Sequence, residues 1–315
     1  MVLAARVNDS LIRNLSNIPR FKEFQRIHAN KLHNHFYVIV MPNTLHYLLV
    51  CLKLIPKSVN VLLLLNGIDP WEEEYLRKQC GDYPVFELAR CPKSSLSHGS
   101  VLNLLIDQND ANFGVLDHDM FVLNHAVFDN LSIEKNEFAI GAFKLRNKKA
   151  GLEFPTTQFL FFNIEWVKRI RTKYRVGAQE YFRIPRRLKP YLESLNLGQF
   201  NFLKEYMDYF DSMNMLFALA FYEKLSFKFL EACPDDFFHI GGTSGDNVRI
   251  PQKNYIGSRL LELLSQQELT TRYSFLYERV PPNPKRSRDL SENPPPTLIA
   301  AAGVEKAISK IQKRL

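Results

Sequence analysis

No stretch of this sequence reaches the ~18 uninterrupted apolar residues that a membrane-spanning helix needs. Tyr47 to Ile55 is broken by Lys53, and Met213 to Tyr222 runs into Glu223 and Lys224. A secretory leader is not expected, because Asn8, Asp9 and Ser10 stand where its apolar stretch would lie. Cysteine is sparse. Cys51, Cys80, Cys91 and Cys233 form no C-x-x-C pair, which argues against a zinc-ligand set or a dense disulfide framework and leaves buried thiols. No internal repeat is present beyond a strand–helix alternation. Together these absences predict a soluble, cytoplasmic protein.

The 315 residues can bury a full core, as one large domain or two modest ones. Charge is unevenly placed. Of a net +8, the segment from Lys168 to Lys189 alone supplies as much, with nine Lys or Arg against the single acid Glu180. Such a patch can draw phosphates, an anionic membrane or nucleic acid; otherwise it is a solvated face with acidic neighbours from elsewhere in the chain.

Along the chain, residues 1–30 read as a helical segment, with Leu11, Leu15, Ile18 and Phe21 three or four apart. The pattern then alternates. His35–Met41 reads as a buried strand ending at Pro42-Asn43, with Thr44 placed to cap the apolar helix that follows. Asn60–Leu65 is a second strand, stopped by Asn66-Gly67, and Asp69-Pro70 opens an acidic-fronted helix to Gln79. Tyr83–Leu88 is a third strand, Gly99–Gln108 a helix, and Phe113–Leu116 a fourth strand. This is the signature of an α/β fold with a parallel sheet covered on both faces, whose ligands bind at the carboxyl ends of the strands. Further on, Phe138–Leu145 and Thr157–Phe162 are expected strands, and Phe210–Leu225 a buried helix. Phe237–Gly245 reads as a small-residue loop, and residues 256–279 as helical. A proline-rich linker then leads to a last amphipathic helix with Val304, Ile308, Ile311 and Leu315 on one stripe.

Chemistry concentrates in Val115-Leu-Asp117-His-Asp119-Met-Phe. On a strand, positions i and i+2 share a face, so both carboxylates should point the same way at the end of a central strand. Two carboxylates in an apolar setting repel each other unless a cation joins them, and oxygen ligands suit Mg²⁺ or Mn²⁺. The stretches Ser97–Leu105 and Phe113–Val122 resemble the inverting, family-two-like glycosyltransferases of GT-A fold. There a glycine-preceded helix carrying an asparagine leads to a strand ending in D-x-D. The turn Leu65–Asp69 is similar to the one that meets nucleobase and ribose in those enzymes, and Pro42-Asn43 sits where the first strand's end frames the base. Departures are the missing serine of the second-strand turn and the lack of a clear E-D acceptor motif.

The resemblance implies a divalent-metal-dependent transfer from a UDP- or GDP-sugar to a glycan, lipid-linked or other acceptor. It implies a GT-A domain over 31–250, split into a nucleotide-binding half (31–130) and an acceptor half (131–250). An N-terminal helical segment (1–30) precedes it; C-terminal helices (251–280) and a linker with an amphipathic helix (281–315) follow. Pro42, Asn43, Asn66, Asp69 and Asp117 are its expected donor contacts. Lys93, His98 and Gly99 join them at a helix start that offers free N–H groups to a diphosphate. Asp117, Asp119 and the late His239 are its expected metal ligands.

Inverting transfer also needs a general base, and Glu205–Asp211 offers Asp211, with Asp208 as alternative. Asp211 could equally cap the helix that follows. The basic segment 168–189 and the C-terminal helix could settle on the cytoplasmic membrane face, or hold a phosphorylated acceptor; no nucleic-acid motif is present. Two other functions remain open. Nucleotidyl transfer normally wants a glycine-rich basic loop after the first strand, which Met41–Leu45 is not. A binding or scaffold protein of the same fold would keep the donor site without turnover.

Overall fold

The computed structural model describes residues 16–89, 95–230, 236–241, 251–278 and 301–315. Helix α1 (Ile18–Ile27) leads into strand β1 (His35–Val40), every residue of which is buried. Then come α2 (Leu45–Lys53), β2 (Asn60–Leu65), α3 (Pro70–Gln79), β3 (Val85–Glu87), α4 (His98–Gln108) and β4 (Phe113–Asp117). Because strand side chains alternate, β1 feeds two cores. Phe36, Val38 and Val40 pack with α2, while Tyr37 and Ile39 pack with α1 and α4. A strand buried on both faces must be apolar throughout, which is why His35–Val40 carries no outward polar stripe.

After β5 (Met120–Val122) follow β6 (Glu137–Gly141), β7 (Lys144–Asn147), β8 (Leu152–Pro155), β9 (Phe159–Phe162) and α5 (Ile164–Tyr174). The chain continues through α6 (Lys189–Glu193), α7 (Asn214–Tyr222), β10 (Ser226–Phe229) and β11 (Phe237–His239). The seven-stranded sheet has the order β10-β6-β9-β4-β1-β2-β3. Its pairs are parallel except those that β9 makes with β4 and β6. Successive units add β2 and β3 on one side of β1 and β4 on the other, so the order reverses between β1 and β4. Sheets of this kind bind ligands at such a switch point, outside the strands' carboxyl ends, and Asp117 ends β4 there, paired with Ile39 of β1.

Helices α8 (Pro251–Leu264), α9 (Gln267–Arg272) and α10 (Phe275–Glu278) close the α2 face, and α11 (Ala301–Gln312) packs on α8. Ile308 and Ile311 are 2% and 0% exposed within that core. Two residues of the apolar stripe offered as a membrane anchor are therefore spent inside the protein, while Leu315 is exposed. No described helix is long and apolar enough to cross a membrane.

Several expectations change. Phe138–Leu145 is not one strand: pairing with β9 ends at Gly141, the chain bends, and Lys144–Asn147 forms a separate hairpin with β8. The Phe210–Leu225 helix shortens to α7, because Met213 takes a left-handed φ of 68° that a helix cannot continue through. Asp211 is accordingly not its cap. Thr44 does stand at the start of α2, but its hydroxyl donates backwards to the Met41 carbonyl at 2.6 Å instead of accepting from the helix. Phe237–His239 is a strand paired antiparallel to β5, not loop. Leu11, Leu15, Cys91, Cys233, residues 242–245 and the proline-rich linker lie outside the described residues.

Candidate active site

The D-x-D does not lie along a single strand. β4 ends at Asp117, His118 and Asp119 form a turn, and β5 begins at Met120. The carboxylates converge because each is pinned separately. The Asp117 N–H donates to the Gln158 carbonyl at 2.9 Å, and the His118 imidazole Nδ1 bonds the Ile39 carbonyl at 3.0 Å. Asp119 Oδ2 accepts from the Gly241 N–H at 3.1 Å. The register of β5 with β11 sets Met120 opposite His239, bringing that imidazole beside the turn. Its Nε2 lies 3.3 Å from Asp119 Oδ1 and 3.9 Å from Asp117 Oδ2. Gly241, at φ 72°, folds the chain back beneath the ring, a conformation that favours glycine.

Potential ligand atoms from all three side chains lie within 4.8 Å of one another. Asp119 and His239 are 3% and 8% exposed, while Asp117 opens further toward solvent. Burial pushes the Asp117 carboxyl above the ordinary range; His98 opposes that shift and the neighbouring Asp119 adds to it. Two carboxylates and an imidazole converging at a strand end make a donor set suited to a divalent cation, which would remove the repulsion between the carboxylates.

Helix α4 points its N-terminus toward this group. Ser97 caps it, accepting from the Ser100 N–H. His98 is close enough to act electrostatically on Asp117, and its buried Nε2 has no hydrogen-bond partner among the described residues. Gly99 is required by close approach: a Cβ there would stand 2.4 Å from the Gln179 Cα and 2.9 Å from the Ala178 oxygen. Asn103 completes the junction, its Oδ1 accepting from the Ala178 N–H at 2.8 Å and its amide donating to Gln179 at 2.9 Å.

This apposition brings residues 178–181 of the later half of the chain to the site. Residues 178–181 run against 210–213, where Tyr181 and Phe210 exchange backbone hydrogen bonds and Met213 N–H donates to Ala178. Ser212 donates to Glu180 at 2.6 Å. Asp211 has one oxygen paired with Lys204 and the other accepting from the Ser212 N–H at 2.8 Å. Asp208 is exposed on the same loop. Sequence reading missed Glu180 and Lys204, which carry no local motif. Their placement follows only from the Tyr181–Phe210 bridge.

On the nucleoside side, Asn66 is 1% exposed and both ends of its amide hold the Leu96 backbone, at 2.8 and 2.9 Å. That commitment leaves it shaping the loop before α4, and corrects the expectation that it contacts a nucleoside. Asp69 is exposed and caps α3 through a capping box with Glu72. Glu72, fully buried, accepts from the Asn43 N–H at 2.8 Å, the Asp69 N–H at 3.0 Å and the Tyr273 hydroxyl at 2.5 Å. It thereby fixes the left-handed turn of Asn43 beside Pro42. Lys93 lies outside the described residues.

Residues 13–167, just under half of the chain, match the family model described as the StrH glycosyltransferase N-terminal domain. Among curated proteins none matches. Among solved structures, the chain is similar to mannosyltransferase PcManGT from Pyrobaculum calidifontis, in complex with GDP-Man and Mn²⁺. The identity is 10%, covering 44% of this chain and 46% of that one, with a TM-score of 0.34. It is similar to the apo-form glycosyltransferase GlyE of Streptococcus pneumoniae TIGR4 at 13% identity, over 89% and 62% of the two chains (TM-score 0.39). It is also similar to residues 1–349 of S. aureus TarS with UDP-GlcNAc, at 13% identity over 78% and 72% (TM-score 0.37). The first of these is spanned over less than half its own length. The family match bears out the resemblance to glycosyltransferases, and the observed sheet bears out the mainly parallel α/β architecture.

Proposed function

With a glycosyltransferase-type domain over residues 13–167 as premise, we propose that this chain moves a sugar from a nucleoside-diphosphate sugar to an acceptor, with inversion and with a divalent metal, Mn²⁺ or Mg²⁺. The observation that carries the reading is the convergence of Asp117, Asp119 and His239 at the carboxyl end of β4. These residues would hold the metal, and a bound divalent cation supplies neutralisation of the charge that develops on the departing diphosphate. The α4 N-terminus, from His98 and Gly99, orients the diphosphate through its free N–H groups. Pro42, Asn43 and the exposed Asp69 border the nucleoside, and Glu72 keeps that turn in place.

The acceptor hydroxyl attacks the anomeric carbon from the face opposite the nucleotide. The new C–O bond forms as the bond to the diphosphate breaks, and the hydroxyl proton passes to a carboxylate. Asp211 is the proposed base, held in position by Lys204 and the Ser212 N–H, with Asp208 the alternative. The division of labour follows the sheet: residues 31–130 bind the nucleotide and 131–250 present the acceptor.

Calorimetry with a panel of nucleoside diphosphates and their sugars, with and without Mn²⁺, tests this. Tight binding of one nucleotide that requires the metal is the expected result. Metal-independent binding, or none, would remove the basis for the assignment. Release of pyrophosphate from a nucleoside triphosphate would point to nucleotidyl transfer instead.

A further inference from the structure

The cations of the 168–189 segment divide into two kinds. On α5, Lys168 pairs with Asp110 at 2.7 Å, Arg171 with Asp107 at 2.7 Å and Lys173 with Glu223 at 2.6 Å. Arg169 lies over the Trp166 ring, and Arg187 donates to the Tyr174 and Arg175 carbonyls. Lys168, Arg171 and Lys173 are thus the solvated face with acidic neighbours that the sequence allowed, and the exposed Arg175 stands with Lys168, Arg171 and Asp107 around a separate, smaller cavity. Arg183, Arg186 and Lys189 differ. All three are exposed, none has a carboxylate within ion-pair distance among the described residues, and together they line one cavity of about 790 Å³. Its only acid is Glu193, so the lining carries a net positive charge.

Two aromatic rings share that lining. Phe182 is 52% exposed and Phe200 is 92% exposed, both costly for large apolar side chains unless something covers them. Phe182 stacks on Tyr209 at 4.8 Å, and its neighbour Tyr181 bridges to Phe210, so the cavity adjoins the two segments that carry Glu180 and Asp211. Its volume falls within the range of small-molecule sites. Guanidinium groups match phosphate oxygens in a bidentate fork, which a bare ammonium cluster would not.

We propose that this cavity holds the phosphate of a phosphorylated acceptor, with Arg183, Arg186 and Lys189 on the phosphate and Phe182 and Phe200 on the adjoining apolar body. This deepens the glycosyltransferase reading and rests on it for the word acceptor. The shared chemistry is a phosphate ester, from a soluble sugar phosphate or from a lipid-linked one.

The test is binding to the full chain without donor or metal. Glucose 1-phosphate is titrated in solution, and farnesyl phosphate is offered in phosphatidylcholine vesicles. At least one should bind saturably, and Arg183→Gln with Arg186→Gln should weaken that binding tenfold or more while melting temperature and metal-dependent nucleotide binding stay unchanged. The probe that binds identifies the source of the phosphate. Binding of neither, or equal binding by the variant, overturns the proposal. So does binding confined to phosphatidylserine vesicles, which would make this face a membrane contact. If the wild type instead takes up no nucleotide with metal yet still binds a phosphate probe, the donor reading fails and the cavity stands as a phosphate site.

Discussion

On the β1–β3 side of the sheet, Asn66, Asp69 and Glu72 are tied into the frame, each bonded to backbone that would otherwise be left without partners. Across the switch point, Asp117, Asp119 and His239 face one another, and burial raises the Asp117 carboxyl by disfavouring its charged form. Both groups are polar, and burial raises the Glu72 carboxyl too, but only the second sets two carboxylates against each other. Satisfied polar groups stabilise a scaffold; like charges driven together mark where a ligand is expected to complete the structure.

The comparison breaks first at Asp119. Asp119→Ala should abolish metal-dependent nucleotide binding and transfer, a loss of at least about 100-fold, with the fold intact by circular dichroism. Undiminished transfer would show that the convergence of carboxylates is structural. His239→Ala should weaken metal affinity by at least the roughly 10- to 100-fold that the loss of even outer-shell partners costs, measured by Mn²⁺ titration. Gly99→Ala tests the seam between the two sides. Its Cβ would meet Gln179 backbone at 2.4 Å, so it should cost about 1–3 kcal/mol and depress transfer more than metal binding.

On the frame side, Asn66→Ala leaves the buried Leu96 N–H and carbonyl without their partners, a loss of about 1–3 kcal/mol. It should appear as a lower melting temperature with metal affinity unchanged, and a matching loss of metal affinity would erase the distinction drawn here. The most gradual effect is one of pH. Burial lowers the His46 and His35 imidazoles to about 3 and about 4. Their unfolded forms protonate near 6.5, so the unfolded chain binds more protons below that pH. The contribution is complete above about 6.5 and falls as pH drops toward 4, by up to about 2 kcal/mol each at pH 5. Urea unfolding across that window, with His46→Gln showing a shallower slope, checks it.

Local pattern carried much of the framework. The strands β1, β2 and β4 lie within a residue of the apolar runs that announced them, because a strand buried on both faces leaves an uninterrupted signature. The short strands β5 and β11 were not legible, since three residues carry no period and these two exist only through each other. Asn66 was misjudged for a related reason: an asparagine after a strand looks the same whether its amide meets a ligand or the backbone of Leu96, thirty residues away.

The sequence by itself determined the alternating α/β framework, the D-x-D at the end of its fourth unit and the concentration of positive charge in 168–189. Each is a local property, set by side-chain period, strand length or a run of like residues. Only the tertiary structure decided that His239 joins the two aspartates, that Asn66 and Glu72 belong to the frame, and that Arg183, Arg186 and Lys189 line a cavity while Lys168, Arg171 and Lys173 are paired with carboxylates. Those outcomes depend on which distant backbone comes within a few ångströms, and that is settled by packing of the two cores rather than by any stretch of chain read alone.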